Sequence, residues 1–350
     1  MTHPRIAILI VAYNGIDFLP ICLNSLAAVQ GEPFAIFVVD NNSTDGTARY
    51  IEDRWENVHL IRSDSNRGYA GGNSYGWGHI QKEMPSVEYI LLLNQDTIVT
   101  PDFLVPLTAA LDTDATLVAV QPQLLLDPER NKINSLGNIT HYLGFGYSSY
   151  NGSLIDAVAI NRHPINYASG AAVLLRVSTI AKVGLFDDFM FMYLEDLDLG
   201  WRLSLAGYKQ ELIPESIVYH HYEFSRGMRQ YYYFERNRLW IVLKNYRLAT
   251  IVILLPALLI MEVLQLVYAI MNGMALSKLR SYAYFLDVRN IRNLYVDRKK
   301  TQALRVVTDR SILRSYTGMI EFQPLHSPAV TLSNIFFEFY RRLILLLIHW

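Results

Sequence analysis

In this 350-residue chain, four clusters of polar and charged side chains are placed where they could bind a ligand or move a proton. The first lies in "VEYILLLNQDTIV", residues 87–99, where an apolar run from Ile90 to Leu93 ends in Asn94, Gln95 and Asp96. A short apolar run bounded by polar residues reads as a fully buried strand, so Asp96 emerges at its carboxyl end. In open α/β sheets that edge is where ligands bind. A carboxylate there, with Asn94 two residues before it, can bind a divalent cation that also holds a diphosphate, because magnesium sites often use one or two protein carboxylates plus substrate oxygens. The plain alternative is that Asp96 caps the turn before Pro101.

The second cluster is "LEDLDLGWRLSLAG", where Glu195, Asp196 and Asp198 crowd the start of a helix. The helix dipole stabilises carboxylates there, but three acids within four residues repel one another more than capping requires. One of them can take a proton from an incoming hydroxyl. The third is "VVDNNSTDGT", a buried strand ending at Asp40 and followed by a turn. It reads equally as an ordinary strand-to-helix turn and as an acid placed to accept hydrogen bonds from a base or ribose. The fourth is "NRGYAGGNSYG", residues 66–76, in which Gly71 and Gly72 allow close backbone approach and Arg67 can face a phosphate; alone it is a flexible turn. It is not the G-x-G-x-x-G of a dinucleotide fold.

Hydrophobic pattern supplies the scaffold for these clusters. Strands are expected at Ile6 to Ala12, Ala35 to Val39, His59 to Arg62, Tyr89 to Leu93 and Thr116 to Gln121. Leu19, Cys22, Leu23 and Leu26 repeat at helical spacing between the first two, and Ser43 or Thr47 can cap a helix carrying Ile51. Alternating strands and helices imply a mostly parallel sheet with helices on both faces. Residues 122–165 read as loops and short pieces that shape a pocket. A further helix runs from Leu194 to Ala206 with Gly207 as its stop signal.

Net charge −1 gives no reason to expect a nucleic-acid partner. The lone Cys22 makes no intrachain disulfide and points to a reducing compartment and a core role, and the first apolar run reads as a strand, not a signal peptide. Beyond His220 the character changes. Residues 226–247 carry Arg226, Arg229, Arg236, Arg238, Lys244 and Arg247 against one acid, Glu235, with aromatics interleaved. Residues 249–271, "ATIVILLPALLIMEVLQLVYAIM", are long enough to cross a bilayer but carry Pro256, Glu262 and Gln265, and both flanks are basic. The expectation is a helix lying in or dipping into the cytoplasmic leaflet, peripheral or monotopic, against anionic lipid, with "FYRRLILLLIHW" as a second interfacial anchor. Packing on the globular domain or on a second copy, and a true span, are the alternatives.

In order and spacing, "VAYNG", "VVDNNSTDGT", "NRGYAGGN", "LLLNQDT", "SGAAVLLR", "GLFDDFMFMYLEDLDLGWRL" and "VYHHYEFS" resemble the inverting glycosyltransferase family 2, especially its rhamnosyltransferase-like members, over residues 5–240. The resemblance implies an α/β GT-A fold in residues 1–225, with a nucleotide-sugar half (1–121) and an acceptor half (122–225); the basic, aromatic and hydrophobic residues 226–350 read as a helical, membrane-associating region after it. It implies a nucleotide-diphosphate sugar donor (dTDP- or UDP-linked, rhamnose first), a glycan or lipid-linked glycan acceptor and Mg²⁺ or Mn²⁺. Asp40 would contact base or ribose, with Ala12, Tyr13, Asn14, Asn42, Asn66, Arg67, Gly71, Gly72, Asn73, Asn94 and Gln95 around the nucleotide-sugar. Asp96 matches the last position of the family's D-x-D motif, where Asn94 replaces the first Asp and leaves one fewer carboxylate. His220 matches a histidine of the metal and diphosphate site, although His221 beside it competes for that place. Asp196 matches the catalytic base, with Glu195 next to it, and Ser169, Gly170, Trp201 and Arg202 would stand on the acceptor side. A non-catalytic scaffold subunit and a sugar nucleotidyltransferase are the competing readings, and homo-oligomerisation stays open.

Overall fold

The structure, a computed structural model, describes residues 4–222, 230–322 and 328–350. Arg226 and Arg229 of the basic stretch lie outside the described residues. The chain divides into two compact units, one made of Met1–Asn138, Ser148–Leu199 and Tyr208–Tyr222, the other of Ile139–Tyr147, Gly200–Gly207 and Glu223–Trp350.

In the first unit the apolar runs become strands β1 (Ile6–Ala12), β2 (Phe34–Asp40), β3 (Val58–Arg62) and β4 (Tyr89–Asn94). They pair in parallel, with β1 between β2 and β4. Residues Ile6 to Ile10 of β1 and Ile90 to Leu92 of β4 are wholly buried, as expected of strands covered on both faces. Helices α1 (Leu19–Ala27), α2 (Thr47–Arg54) and α3 (Gly68–Glu83) make the crossovers.

Beyond β4 the sheet is mixed, where the alternating pattern predicts a mostly parallel one. Short β5 (Thr97–Val99), α4 (Leu104–Thr113) and long β6 (Leu117–Leu126) precede β7 (Ile133–Ser135), β8 (Asn138–Thr140), β9 (Gly146–Ser148) and β10 (His163–Pro164). Then come β11 (Ala172–Arg176), α5 (Val177–Val183), α6 (Glu195–Leu205) and β12 (Lys209–His220). The strand order is β10-β12-β6-β11-β4-β1-β2-β3, with β11 antiparallel to both β4 and β6. The region expected to be loops therefore contributes short strands, too brief to show a period of two in the sequence.

Two local expectations are corrected. Neither Ser43 nor Thr47 caps α2; Gly46 (φ 95°) precedes it, and the Asp45 carboxylate accepts from the Thr47 backbone N–H at 3.0 Å. The glycine-rich stretch is a helix, not a turn. A Cβ at Gly72 would lie 2.6 Å from the Val11 side chain, and one at Gly76 2.5 Å from Leu9, so these glycines let α3 settle directly on β1.

The second unit is helical: α7 (Tyr231–Asn245), α8 (Leu248–Met271), α9 (Ala275–Tyr284), α10 (Val288–Leu304), α11 (Asp309–Ser315) and α12 (Pro328–Leu347). α8 runs through Pro256 as one helix. The basic residues of α7 that the sequence suggested for lipid are internal: Arg236, Arg238 and Lys244 are buried. Arg238 pairs with Glu235 at 2.9 Å and with Glu262 of α8, while Lys278 of α9 pairs with Glu235 and, at 2.7 Å, with Glu262. Two cations and two carboxylates thus neutralise one another, the condition under which such charges tolerate burial. Replacing Glu235 by Gln leaves Arg238 and Lys278 sharing one carboxylate, and we expect a loss of about 3–5 kcal/mol, measured as a lower midpoint in thermal or denaturant unfolding.

Candidate active site

Strand pairing decides which residues meet at the carboxyl edge of the sheet. β11 starts at Ala172 opposite Leu93 of β4, so the loop before it lies against the carboxyl end of β4. The Asn94 N–H donates to Ala171 O at 2.9 Å, and the Gly170 N–H donates to Asp196 Oδ2 at 3.1 Å. This short segment thereby links the strand that delivers Asp96 to the helix that delivers Asp196. Tyr69 seals the same corner, its hydroxyl donating to Gly170 O at 2.5 Å. Burial holds the Tyr69 hydroxyl well above its ordinary range, and the fields of Glu195, Asp196 and Asp96 add to this, which puts all three carboxylates within electrostatic reach of one phenol.

His220 ends β12, and antiparallel pairing sets it opposite Thr97, next to Asp96. Its Nε2 lies 3.5 Å from Asp96 Oδ1 and 3.4 Å from the Asn94 amide nitrogen. Its Nδ1 lies 2.9 Å from Asn134 Oδ1. An amide oxygen only accepts, so Nδ1 carries the proton and the Nε2 lone pair is left toward Asp96. His221 points elsewhere, its ring 4.9 Å from that of Phe18. Among the described residues no three His, Cys, Asp or Glu side chains converge as a metal cluster. Asp96 and His220 still form an oriented pair of donors that could hold a divalent cation.

The residues expected on the nucleotide side form a stitched floor. Gln95 clamps Tyr13 from both sides, accepting from its N–H at 3.0 Å and donating to its carbonyl at 3.3 Å. Asn14, at φ 47°, accepts from Thr44 N–H at 2.9 Å, and the Asn41 N–H donates to Ala12 O at 2.7 Å. Asn41 also accepts from the Arg67 N–H at 2.9 Å and donates to Asn66 Oδ1 at 3.1 Å. Asn42 takes the left-handed conformation (φ 65°), and the Asn73 amide donates to Tyr69 O at 2.9 Å. Asp40 is buried at the end of β2, and its Oδ1 has no hydrogen-bond partner. Arg67 is turned aside: its guanidinium bonds Ser63 Oγ at 2.8 Å and Asp64 at 2.9 Å and covers the Tyr75 ring. Gly71 lies inside α3 with Arg67 Cβ and Asp188 beside its vacant Cβ position, and Gly72 packs on Val11.

A strained approach precedes Glu195 and Asp196. Phe191, Tyr193 and Leu194 all have positive φ (64°, 70° and 66°), a conformation that costs a bulky residue on the order of 1–3 kcal/mol. The loop is pinned by the Ala70 N–H, which donates to Phe191 O at 3.0 Å; a Cβ on Gly68 would stand 2.3 Å from that oxygen, which explains the glycine. Burial pushes the Asp196 carboxyl up to about 6 even though Gly170 and Leu197 N–H groups donate to it. Burial, with the Asp196 charge behind it, raises Glu195 well above the usual carboxylate range, and its Oε2 is buried without a partner. Asp196 has backbone donors for its charged form and Glu195 Oε2 has none, so Glu195 keeps the proton and Asp196 gives it up first.

Two acceptor-side expectations are corrected. Trp201 is fully buried edge-on against Tyr246 and Tyr316, and Arg202 is buried as well; both belong to the second unit's interior and present no surface to an acceptor. Ser169 and Gly170 stand beside Asp196, with the Ser169 N–H held by Gln121 Oε1 at 2.7 Å. Sequence reasoning missed Tyr69, Gln121 and Asn134. A polar residue ending the expected buried strand was the signal for Gln121, and Tyr69 sits inside the glycine-rich motif, but nothing local marked Asn134.

A mixed sheet that gathers Asp40, Asp96, Asp196 and His220 at one edge is the architecture of a GT-A glycosyltransferase. Residues 7–176 match the family described as Glycosyl transferase family 2. The chain is 26% identical over 234 residues, 62% of its length and 76% of the relative's, to an N-acetylglucosaminyl-diphospho-decaprenol L-rhamnosyltransferase of Mycobacterium tuberculosis. It is 29% identical over 213 residues to a poly-beta-1,6-N-acetyl-D-glucosamine synthase of Staphylococcus aureus, covering 60% of this chain and 48% of that protein. In fold it resembles GalNAc-T7 with UDP, GalNAc and Mn²⁺ (TM-score 0.56, 15% identity, 68% of this chain and 47% of that one). It also resembles S. aureus TarS 1–349 with UDP (TM-score 0.51, 15% identity, 86% and 88%). The chain is a glycosyltransferase that carries a family 2 domain over residues 7–176.

A raised Asp196 fixes the sign of the pH dependence. The group is ionised above its pKa, so a step that needs the carboxylate weakens as pH falls through about 6. The profile of kcat/KM against pH should show an acid limb near that value.

Proposed function

We propose that the chain moves a sugar, rhamnose first, from a nucleotide-diphosphate donor to a hydroxyl of a glycan or lipid-linked glycan, with inversion at the anomeric carbon. The observation that carries this reading is the pair of buried carboxylate oxygens without partners, Asp40 Oδ1 and Glu195 Oε2, set around one strand edge that also holds Asp96 and His220. Buried polar atoms in native proteins find partners, so two left open at one edge point to polar groups of a ligand. Asp40 suits the hydroxyls of a ribose or the N–H of a base, and Glu195, kept protonated, donates to a sugar or acceptor oxygen. The rhamnosyltransferase relative supports the choice of sugar and of a lipid-linked acceptor.

In the reaction the acceptor oxygen forms a bond to the anomeric carbon as the bond from that carbon to the diphosphate breaks. The acceptor proton passes to Asp196 Oδ1 or Oδ2, and the nucleoside diphosphate leaves from the opposite face. Asp196 is held by Gly170 and Leu197 N–H groups, so the base does not swing away between turnovers. Asp96 and His220 would hold Mg²⁺ or Mn²⁺, which would supply positive charge beside the diphosphate. Asn134 keeps the His220 lone pair directed at that position.

The test separates the two neighbouring acids. Asp196→Asn should lower kcat by roughly 10²–10⁴, the usual worth of a general base. Glu195→Gln reproduces a neutral carboxyl and should stay within about tenfold of the parent. Sugar transfer from dTDP-rhamnose or UDP-sugars, followed with both variants shown to be folded, reads the difference; a reversed ranking would move the base to Glu195.

A further inference from the structure

We propose that the second unit beds the exposed face of α8 into the plane of an anionic lipid surface, without crossing it. Among the described residues α8 is the one helix long and apolar enough to span a bilayer, so the choice between lying and crossing turns on its neighbours. Val252, Leu255, Leu259, Val263, Val267 and Ile270 follow helical spacing along its whole length and are 48–69% exposed. So continuous an apolar stripe on a water-facing surface marks an interaction site.

The opposite face of α8 is tied down at four levels. The Thr250 hydroxyl donates to Asp309 Oδ2 at 2.6 Å, Ile253 O accepts from the Tyr340 hydroxyl at 2.6 Å, Glu262 joins the buried pairs with Arg238 and Lys278, and Gln265 Oε1 accepts from the Tyr231 hydroxyl at 3.0 Å. Pulling α8 across a bilayer would either break these bonds or drag in α9 and α10, whose Arg280, Arg289, Arg292, Arg298, Lys299 and Lys300 do not belong in hydrocarbon. Lying flat costs neither. An amphipathic helix in this position sinks about 5–10 Å into the boundary between headgroups and acyl chains.

Charge names the occupant. Residues 247–350 hold thirteen lysines and arginines against six acids, and Glu262, Asp309 and Glu338 among the acids are already paired internally. Arg280 and Arg292 are exposed next to Leu279 and Ile291, and Lys299 lies over the Tyr295 ring, an apolar body with a charged rim. The neighbouring α12 adds its own stripe, with Leu332, Ile335, Phe339, Leu343 and Leu346 exposed. A two-fold dimer through this face would set the same basic residues against one another, whereas the cytoplasmic leaflet carries anionic lipid. This inference rests on the second unit and not on the sugar chemistry.

Co-sedimentation of the full chain with vesicles of phosphatidylcholine, with and without phosphatidylglycerol, tests it. We expect binding to the anionic vesicles, weakened by 1 M salt, where the screening length falls to about 3 Å. Arg280→Gln and Arg292→Gln should each lower the partition about fivefold, the worth of one basic residue near such a surface. Leu259→Glu with Val263→Glu should abolish it while sugar transfer to a soluble acceptor reports that the chain is folded. Cys22 is buried, so cysteines placed at Arg247 and Asn272 can be read alone, and an impermeant maleimide should label both from the outside of sealed vesicles. Labelling from opposite sides would overturn the in-plane geometry. Equal binding by the Leu259→Glu/Val263→Glu variant, or a dimer that ignores vesicles, would overturn the lipid assignment.

Discussion

The site exists because β11 reverses direction beside β4. Parallel strands deliver their carboxyl ends to one edge, which brings Ala12, Asp40 and Asn94 into a row, but they do not reach the start of α6. Because β11 runs the other way, its first residues meet that same edge, and the backbone of Gly170 and Ala171 touches both the start of α6 and the end of β4. Two further placements depend on this reversal: Tyr69 closes on Gly170 O, and β12, returning parallel to β6 on the far side of β11, brings His220 to Asp96.

Burial then decides what each acid does. Asp196 and Glu195 are adjacent in sequence and share a field, yet the backbone gives donors to one and leaves an oxygen of the other orphaned. Two carboxylates that differ in solvation and hydrogen bonding give up their protons at different pH without any difference in intrinsic chemistry. The left-handed residues before α6 are consistent with this, since strain of that kind persists where the surroundings hold a functional group in place. Elsewhere the same physics is used for structure: the paired charges of Arg238, Lys278, Glu235 and Glu262 fasten α8.

Much of the sheet was legible because buried strands announce themselves as apolar runs. β1 matches its expected residues from end to end, and β2, β3 and β4 differ by one residue at one or both ends. The short strands from β7 to β10 were not legible, since two or three residues show no period. Asp96, Asp196 and His220 were picked from their places at element ends, and the structure gathers them. Trp201 and Arg202 were misplaced because a helix shows its periodicity but not which neighbours cover each side, and here both are covered. Gly72 shows a related limit: small residues serve helix packing as well as ligand approach, and only the position of Val11 reveals the packing role. The buried arginines of α7 show the same limit, because composition reports charge and not its partners.

If the edge bearing Asp40, Asp96 and His220 receives a nucleoside diphosphate together with its metal, nucleotide affinity must depend on that metal. Titration calorimetry of UDP and dTDP against the full chain, in Mn²⁺ or Mg²⁺ and again in EDTA, measures the dependence. We predict binding of one nucleotide that is at least about tenfold tighter with metal, with that metal dependence lost in Asp96→Asn. Metal-independent binding unchanged in Asp96→Asn, or no binding of either nucleotide by folded protein, would contradict it.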